Sequence, residues 1–391
     1  MFNERETFLV FADDWGEHPS SCQHIFKHIL KEYPVVWVNT VGMRTPRLNR
    51  TDAQKALRKL RKMFFPQKNS SSKEKLGKGF QNLTVLQPFM IPYNRGTFRW
   101  FNRYSVIKIV RQKLSELGLR YPILVTTVPN ACDYIGAFNE KKVIYYCVDD
   151  FANWPGHDKA LVLCMEEELI KKADIFVATS EKLYQRLEKY GKTTYLLPHG
   201  VDLEAFVNIP DNAEHPAVSH ISKPRVGYVG LIDDRLDWEL IKTLLKRLRD
   251  VNFVFIGRQE IEVSFLKEYS NFYILSPIPY SEVPLMLKSM DILMLPYKIN
   301  EFTQTINPLK LKEYLSSSKK VIGVPLKEIE KYRDYLTIAF NPEDWVNKIK
   351  IALEKKIDHP NEKLLKLLKK EDWSTKAQKF LEICLGHLST I

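Results

Sequence analysis

The sequence predicts an α/β chain made of two doubly wound units in tandem. Three observations lead there. At 391 residues the chain is longer than one core comfortably organises. Short apolar, β-branched runs alternate with longer amphipathic runs almost from end to end, as in parallel strands joined by crossover helices. One aperiodic stretch, 208–224, carries three prolines and interrupts the alternation, which then restarts.

In the first unit the strand-like runs are Thr7–Ala12, Val35–Asn39, Leu83–Gln87, Ile123–Thr127, Val143–Val148, Ile175–Thr179 and Thr194–Leu197. Helical patterns occupy Ser21–Tyr33, Thr97–Leu117, Lys159–Lys172 and Glu181–Tyr190. Val143–Val148 shows no polar alternation, as expected of a strand buried on both faces. After the break, strands are expected at Arg225–Gly230, Asn252–Gly257, Phe272–Leu275, Asp291–Leu295 and Lys320–Gly323. Between them helices are expected at Asp237–Leu248, Ile261–Tyr269, Ser281–Ser289 and Pro308–Ser317. The tail from Lys348 reads as helix, broken near His359-Pro360 and again near Asp372-Trp373.

Composition narrows the class. With 45% hydrophobic and 27% charged residues the chain should fold rather than remain disordered. The first apolar run is stopped by Asp13 and Asp14, too soon for a signal peptide, and no stretch reaches the length needed to span a bilayer. The five cysteines are scattered and form no CxxC, so a disulfide framework or zinc site is not expected and a cytoplasmic location is. His24 and His28 have metal-like spacing, but no HExxH surrounds them, and no metal is expected. There is no GxGxxG after a strand and no GxxxxGK[ST], which argues against a dehydrogenase or a P-loop NTPase.

The net charge of +12 is unevenly placed. Residues 44–113 hold 18 Lys and Arg against only Asp52 and Glu74. Such a field attracts an anionic partner: a membrane surface, a lipid-linked phosphate or nucleic acid. No RNA- or DNA-binding motif accompanies it, and nucleic acid is not expected. Within the zone, Asp52–Phe65 sets Leu57, Leu60, Phe64 and Phe65 beside Lys55, Arg58, Lys59, Arg61 and Lys62, a pattern suited to a helix lying on an anionic bilayer.

Ligands of open α/β sheets bind beyond the carboxyl ends of the strands. Those loops here carry Asp13-Asp14-Trp15-Gly16, Asp149-Asp150, Gly230 followed by Arg235, and Gly257-Arg258. The sharpest segment is Asn307-Pro308-Leu309-Lys310-Leu311-Lys312-Glu313-Tyr314-Leu315. Pro308 suits a first helical turn, whose free N–H groups would face an anion. Lys310 adds positive charge, and Glu313 could accept hydrogen bonds from a ribose diol. The plainer reading is a surface helix with a Lys/Glu face. Glu166–Glu168 read as a solvated face, and Trp15, Trp37, Trp100 and Trp154 as core, Trp154 being the best placed of them to stack on a sugar.

Taken in order, Pro198-His199-Gly200-Val201-Asp202 with Phe206, Gly227-Tyr228-Val229-Gly230, Phe253-Val254-Phe255-Ile256-Gly257 and Pro308–Leu315 resemble the GT-B glycosyltransferases, in particular the group-1 family and its bacterial surface-polysaccharide relatives. The resemblance covers about residues 140–345 well and the first 130 poorly. It implies two Rossmann-like domains facing across a cleft: an acceptor-side domain at 1–200, a nucleotide-sugar domain at 201–372, and a C-terminal helix at 373–391 returning to the first. It also implies transfer of a sugar from a nucleoside-diphosphate donor, UDP- or GDP-linked, without metal or other cofactor. The donor would be held by Gly230, Arg235, Gly257, Arg258, Asn307, Pro308, Leu309, Lys310 and Glu313, with Glu313 on the ribose. His199, Gly200 and Asp202 would lie at the domain crossing. Asp149 or Asp150 would be the base of an inverting reaction, with Trp15, Gly16 and Trp154 on the acceptor or sugar side. The acceptor would be lipid-linked or a cell-surface polysaccharide, met by an enzyme attached peripherally to the inner face of the cell membrane.

The chain departs from that family in two places. Thr305 stands where the first glutamate of an E-x7-E signature would be, and Asp149-Asp150 follow the strand after which many members carry a histidine. These departures leave room for a catalytically inactive GT-B protein that serves as a binding or scaffolding partner.

Overall fold

The computed structural model describes residues 6–17, 20–40, 81–207, 209–210, 213–355 and 362–387. The helix expected at Asp52–Phe65, and most of the basic zone with it, lies outside the described residues. The chain divides into two compact units, 1–197 together with 376–391, and 198–375.

The first unit is a seven-stranded parallel sheet in the order β3-β2-β1-β4-β5-β6-β7. Its strands are β1 (Phe8–Ala12), β2 (Val35–Asn39), β3 (Leu83–Leu86), β4 (Ile123–Thr126), β5 (Lys142–Cys147), β6 (Ile175–Ala178) and β7 (Thr194–Leu196). β1 is central, with Phe8 opposite both Val35 and Ile123, and every residue of β1, β2 and β4 is buried. That explains their uninterrupted apolar runs: helices cover both faces, so no position faces water. The helices are α1 (Ser21–Ile29), α2 (Gly96–Glu116), α3 (Lys159–Lys172) and α4 (Glu181–Glu188). Ser20, Asp158 and Ser180 cap α1, α3 and α4 by accepting the backbone N–H three residues on.

Helix phase overturns two sequence expectations here. Glu166 is not on a solvated face: it shares the buried side of α3 with Val162, Met165, Leu169 and Ile170. Its charge is tolerated there because Tyr145 Oη donates to it at 2.6 Å and Arg186 at 2.8 Å. Trp37 is fully buried, as core, but Trp100 is 66% exposed.

The second unit is a six-stranded parallel sheet, β10-β9-β8-β11-β12-β13. Its strands are β8 (Arg225–Val229), β9 (Asn252–Ile256), β10 (Phe272–Leu275), β11 (Ile292–Leu295), β12 (Lys320–Gly323) and the short β13 (Thr337–Ile338), which had no sequence signal. Helices α5 (Trp238–Arg247), α6 (Val283–Lys288), α7 (Leu309–Ser316), α8 (Pro342–Glu354) and α9 (Glu362–Lys370) surround it. The helix expected at Ile261–Tyr269 is instead one 3₁₀ turn at Ser264–Leu266. Only Val263 and Leu266 of that stretch are buried, too few apolar contacts to hold a longer helix. Among the described residues no helix is long and apolar enough to cross a membrane.

The boundaries differ slightly from 200/201 and 372/373. Val201 bonds on both sides to the chain around Asp372: its N–H donates to the Glu371 carbonyl at 2.9 Å, and its carbonyl accepts from Trp373 N–H at 3.1 Å. Gly200 lies flat on the Trp373 ring, where a Cβ would come within 2.7 Å of ring carbons. His199, Gly200, Glu371 and Trp373 are therefore one structural block in the second unit. The last helix, α10 (Trp373–Leu385), begins there, and from Lys376 onward it belongs to the first unit. Within that unit Phe380 packs on Phe26 and Tyr146, and Lys142 Nζ donates to the Cys384 carbonyl at 2.7 Å.

Lys312 closes the block: its side chain is 2% exposed and donates to the Glu371 carboxylate and the His199 carbonyl. Breaking a buried pair strands a charge in low dielectric. Lys312→Ala should therefore lower the unfolding free energy by about 3 kcal/mol, and Glu371→Gln by less, since Glu371 keeps some solvent. Chemical denaturation followed by circular dichroism would measure both, and a neutral Lys312→Ala would show that the pair does not hold the block together.

Candidate functional site

The second unit gathers several of the expected residues at the carboxyl ends of β8 and β9. Both strands end in glycine, Gly230 at φ +150° and Gly257 at φ +149°. The two loops are so close that a Cβ on Gly257 would lie 1.9 Å from the Gly230 carbonyl oxygen. A Cβ on Gly230 would lie 1.8 Å from Lys310 Cε. Only glycine permits both the backbone conformation and the contact. Lys310 thus lies across the bare Gly230 backbone, its ammonium 5.4 Å from the centre of the Tyr228 ring.

Helix α7 is locked to the same strand end. Tyr314 Oη accepts the Val229 N–H at 2.8 Å, so the helix cannot slide relative to the β8 loop. The helix proper begins at Leu309, with Pro308 at its cap and the preceding Asn307 buried. One turn on from Lys310, Glu313 receives a hydrogen bond from Tyr280 and feels the charges of Lys310 and Asp202. Burial pushes its pKa up to about 7, the Tyr280 bond and Lys310 pulling the other way and Asp202 adding to the rise. Asp202, expected at a domain crossing, is therefore an electrostatic neighbour of Glu313. Tyr280 had no sequence signal, because it opens a short 3₁₀ turn, Tyr280–Glu282, before α6 with nothing to mark it.

Two expected donor ligands are otherwise engaged. Arg235 Nε donates to both oxygens of Asp233, at 3.0 and 2.8 Å, and each side chain is 13% exposed. Arg258 pairs with Glu260 at 2.9 Å on the surface. Thr305 is buried, and its hydroxyl donates to the Phe302 carbonyl at 2.6 Å.

In the first unit, the loop after β5 separates the two aspartates. Asp150 is turned inward and 5% exposed: Oδ2 accepts from Asn153 Nδ2 at 2.8 Å, and Oδ1 lies 3.8 Å from Arg186 Nη1. Arg186 is the residue that sequence reading missed. It lies beneath the loop, bonded to Glu166 at 2.8 and 2.9 Å, and looks from sequence like any arginine on an exposed helix. Asp149 is half-buried. Trp154, also half-buried, lies near-parallel to Phe151 and His157, the three ring centroids 6.1–6.2 Å from one another. The loop after β1 is tied down separately. Trp15 N–H donates to Asn39 Oδ1 at 3.0 Å and its ring meets Trp37 edge-on, while Gly16, at φ +80°, donates to Gln23 Oε1 at 3.0 Å. Burial first, then Lys27 and His28, lower the His24 pKa to about 3, and the side chain packs into the core side of α1.

No protein-family model matches the chain. A curated relative, TuaH of Bacillus subtilis (strain 168), provisionally named a teichuronic acid biosynthesis glycosyltransferase, is 26% identical over 181 residues. That match spans 44% of this chain and 46% of the relative, less than half of either. Among solved structures, HepE of Anabaena in complex with UDP and glucose aligns over 97% of this chain and 99% of its own, at 11% identity and a TM-score of 0.66. An α,α-trehalose-phosphate synthase (UDP-forming) from Burkholderia vietnamiensis aligns over 98% and 99%, at 13% identity and 0.64. These likenesses establish the fold: the two parallel α/β units have the GT-B architecture.

The raised pKa of Glu313 has a thermodynamic consequence. The folded chain holds this proton to about pH 7, whereas the unfolded chain releases it near 4.5. Its contribution to stability is therefore complete below pH 4.5 and lost as pH rises through 7. Relative to Glu313→Gln, the wild type should lose about 1–2 kcal/mol of unfolding free energy between pH 5 and pH 8, allowing for the group's partial exposure. Parallel curves for the two proteins would mean that Glu313 is solvated.

Proposed function

We propose that the protein is a glycosyltransferase that moves a sugar from a nucleoside-diphosphate donor to a lipid-linked or cell-surface polysaccharide acceptor. The observation that carries this reading is the cluster of Gly230, Gly257, Lys310 and Glu313 at the carboxyl ends of two adjacent parallel strands. The bare backbone at the two glycines lets phosphates approach, the N-terminus of α7 and Lys310 supply positive potential, and Glu313 offers an acceptor for a ribose diol. UDP in HepE and the UDP-forming name of the synthase make a uridine nucleotide the first donor to test. Teichuronic acid biosynthesis in the name of TuaH supports a surface-polysaccharide acceptor.

In this reading the leaving diphosphate is stabilised by Lys310 and the α7 N–H groups rather than by a metal ion, because fixed dipoles and charges aimed at it need no reorganisation. Asp149 would deprotonate the acceptor hydroxyl. Asp150, held by Asn153 beside Arg186, would shape the loop. The acceptor would be met at the inner face of the cell membrane by a peripherally attached enzyme, drawn there by the basic residues of 44–113. A second reading, a GT-B protein that binds nucleotide without turnover, is favoured by Thr305, whose hydroxyl is committed to its own turn.

Titration calorimetry with UDP and UDP-sugars should detect binding, and Glu313→Ala should weaken it by about 1.5–3 kcal/mol, the loss of hydrogen bonds to a charged group. Unchanged affinity would remove Glu313 from the donor site. In a transfer assay Asp149→Asn should cost on the order of 10²–10⁴ in turnover with donor affinity kept. Asp150→Asn should act mainly on stability. Nucleotide binding sensitive to Glu313 but without transfer to any lipid-linked or polysaccharide acceptor would select the second reading.

A further inference from the structure

Helix α2 carries a surface that sugar transfer leaves unexplained. Trp100, Arg103, Tyr104, Ile107, Lys108 and Arg111 follow the spacing of one helix face, and with Ile135, Gly136 and Ala137 they line an open groove of about 560 Å³. The opposite face, Asn102, Val106, Val110 and Leu114, is buried against the sheet. Trp100 is 66% exposed and Tyr104 54%, their rings stacked at 5.9 Å and 9°. Tyr93 and Phe98, 42% and 45% exposed, meet edge to face near the start of the helix. Large exposed aromatics gathered in one place mark an interaction surface.

The charges on the helix are sorted. Arg95 pairs with Asp158, Arg99 with Asp133 and Glu168, and Lys113 with Glu116. In the groove, by contrast, Arg103 Nε and Arg111 Nε donate to the backbone carbonyls of Asp133 and Ala137, at 2.9 and 2.7 Å. Those bonds fix the guanidinium groups in place without neutralising them. Lys108 reaches over the Tyr104 ring at 5.9 Å. Among the described residues no carboxylate lines the groove. Cations held beside exposed Trp and Tyr, over an apolar floor of Ile107, Ile135 and Ala137, match the headgroup level of an anionic bilayer, where such rings settle and phosphates supply the opposite charge.

We propose that this face of α2 is where the protein seats on an anionic phospholipid bilayer, with Trp100 and Tyr104 at headgroup depth and Arg103, Lys108 and Arg111 against lipid phosphates. Single-stranded nucleic acid also binds aromatics and arginines, but it needs open ring faces. Here Tyr104 is engaged by the Trp100 ring and by Lys108, which leaves Trp100 alone to take a base, one platform rather than the succession on which a single strand stacks. The proposal rests on the membrane reading given above and adds to it a specific contact surface, independent of the stretch Asp52–Phe65.

Trp100 supplies its own probe, since the other six tryptophans are buried or half-buried. Vesicles containing brominated phosphatidylglycerol should quench the protein's fluorescence at low salt, and Trp100→Phe should remove most of that quenching. Trp100→Ser/Tyr104→Ser should weaken sedimentation with phosphatidylglycerol vesicles about tenfold while melting temperature and UDP affinity stay unchanged. Undiminished vesicle binding by the double variant, with no quenching through Trp100, would overturn this surface and leave the membrane reading standing. Absence of binding to any vesicle would overturn both, whereas UDP affinity reports on the donor site separately. Quenching by a single-stranded oligonucleotide but not by vesicles would assign the groove to nucleic acid and also refute the proposal.

Discussion

The approach of Gly257 to Gly230 sets the geometry of the second unit at the carboxyl ends of its central strands. β8 and β9 are hydrogen-bonded neighbours, so their carboxyl ends must emerge about one strand spacing apart. With any side chain at Gly257 the loops would be forced open, because a Cβ there falls within 1.9 Å of the Gly230 carbonyl. The contact passes on to Lys310, whose aliphatic stem fills the space beside Gly230 that a side chain would take. Tyr314 then fixes the helix carrying Lys310 and Glu313 to the same strand through Val229. Strand end, glycine loop and helix start therefore form one rigid assembly, and the acidity of Glu313 follows from being part of it.

The first unit solves a different problem. Its central strands are fully apolar, yet Arg186, Glu166 and Tyr145 meet at the buried end of β5, with Asp150 above them. An isolated charge there would cost several kcal/mol. The four groups share their charges and hydrogen bonds, and in doing so they fix the loop that carries Asp149. A network of paired charges holds the loop in place without adding apolar bulk.

Basic residues serve two purposes along α2. Arg95, Arg99 and Lys113 are paired with carboxylates; in the groove Arg103 and Arg111 are fixed by backbone carbonyls and keep their charge. The same composition thus yields a neutralised flank and a cationic groove. Net charge alone does not distinguish them.

The sequence by itself determined the parallel α/β class, nearly every strand, and the tandem arrangement, because burial on both faces writes itself as unbroken apolar runs and crossover helices as a 3.6-residue period. It also singled out Gly230, Gly257, Lys310 and Glu313, since glycine after a strand and charge at a helix start are local signals, while the resemblance to GT-B enzymes is what joined them into one group. Only the tertiary structure decided which carboxylate of Asp149-Asp150 turns inward, that Glu166 is buried and that Trp100 is exposed. Each of these depends on what a distant segment presents: Arg186 beneath Asp150, Tyr145 against Glu166, and no element over Trp100 among the described residues. Tyr280 beside Glu313 belongs to the same class. Such pairings arise from the packing of elements remote in the chain, and a local pattern of residues holds no trace of them.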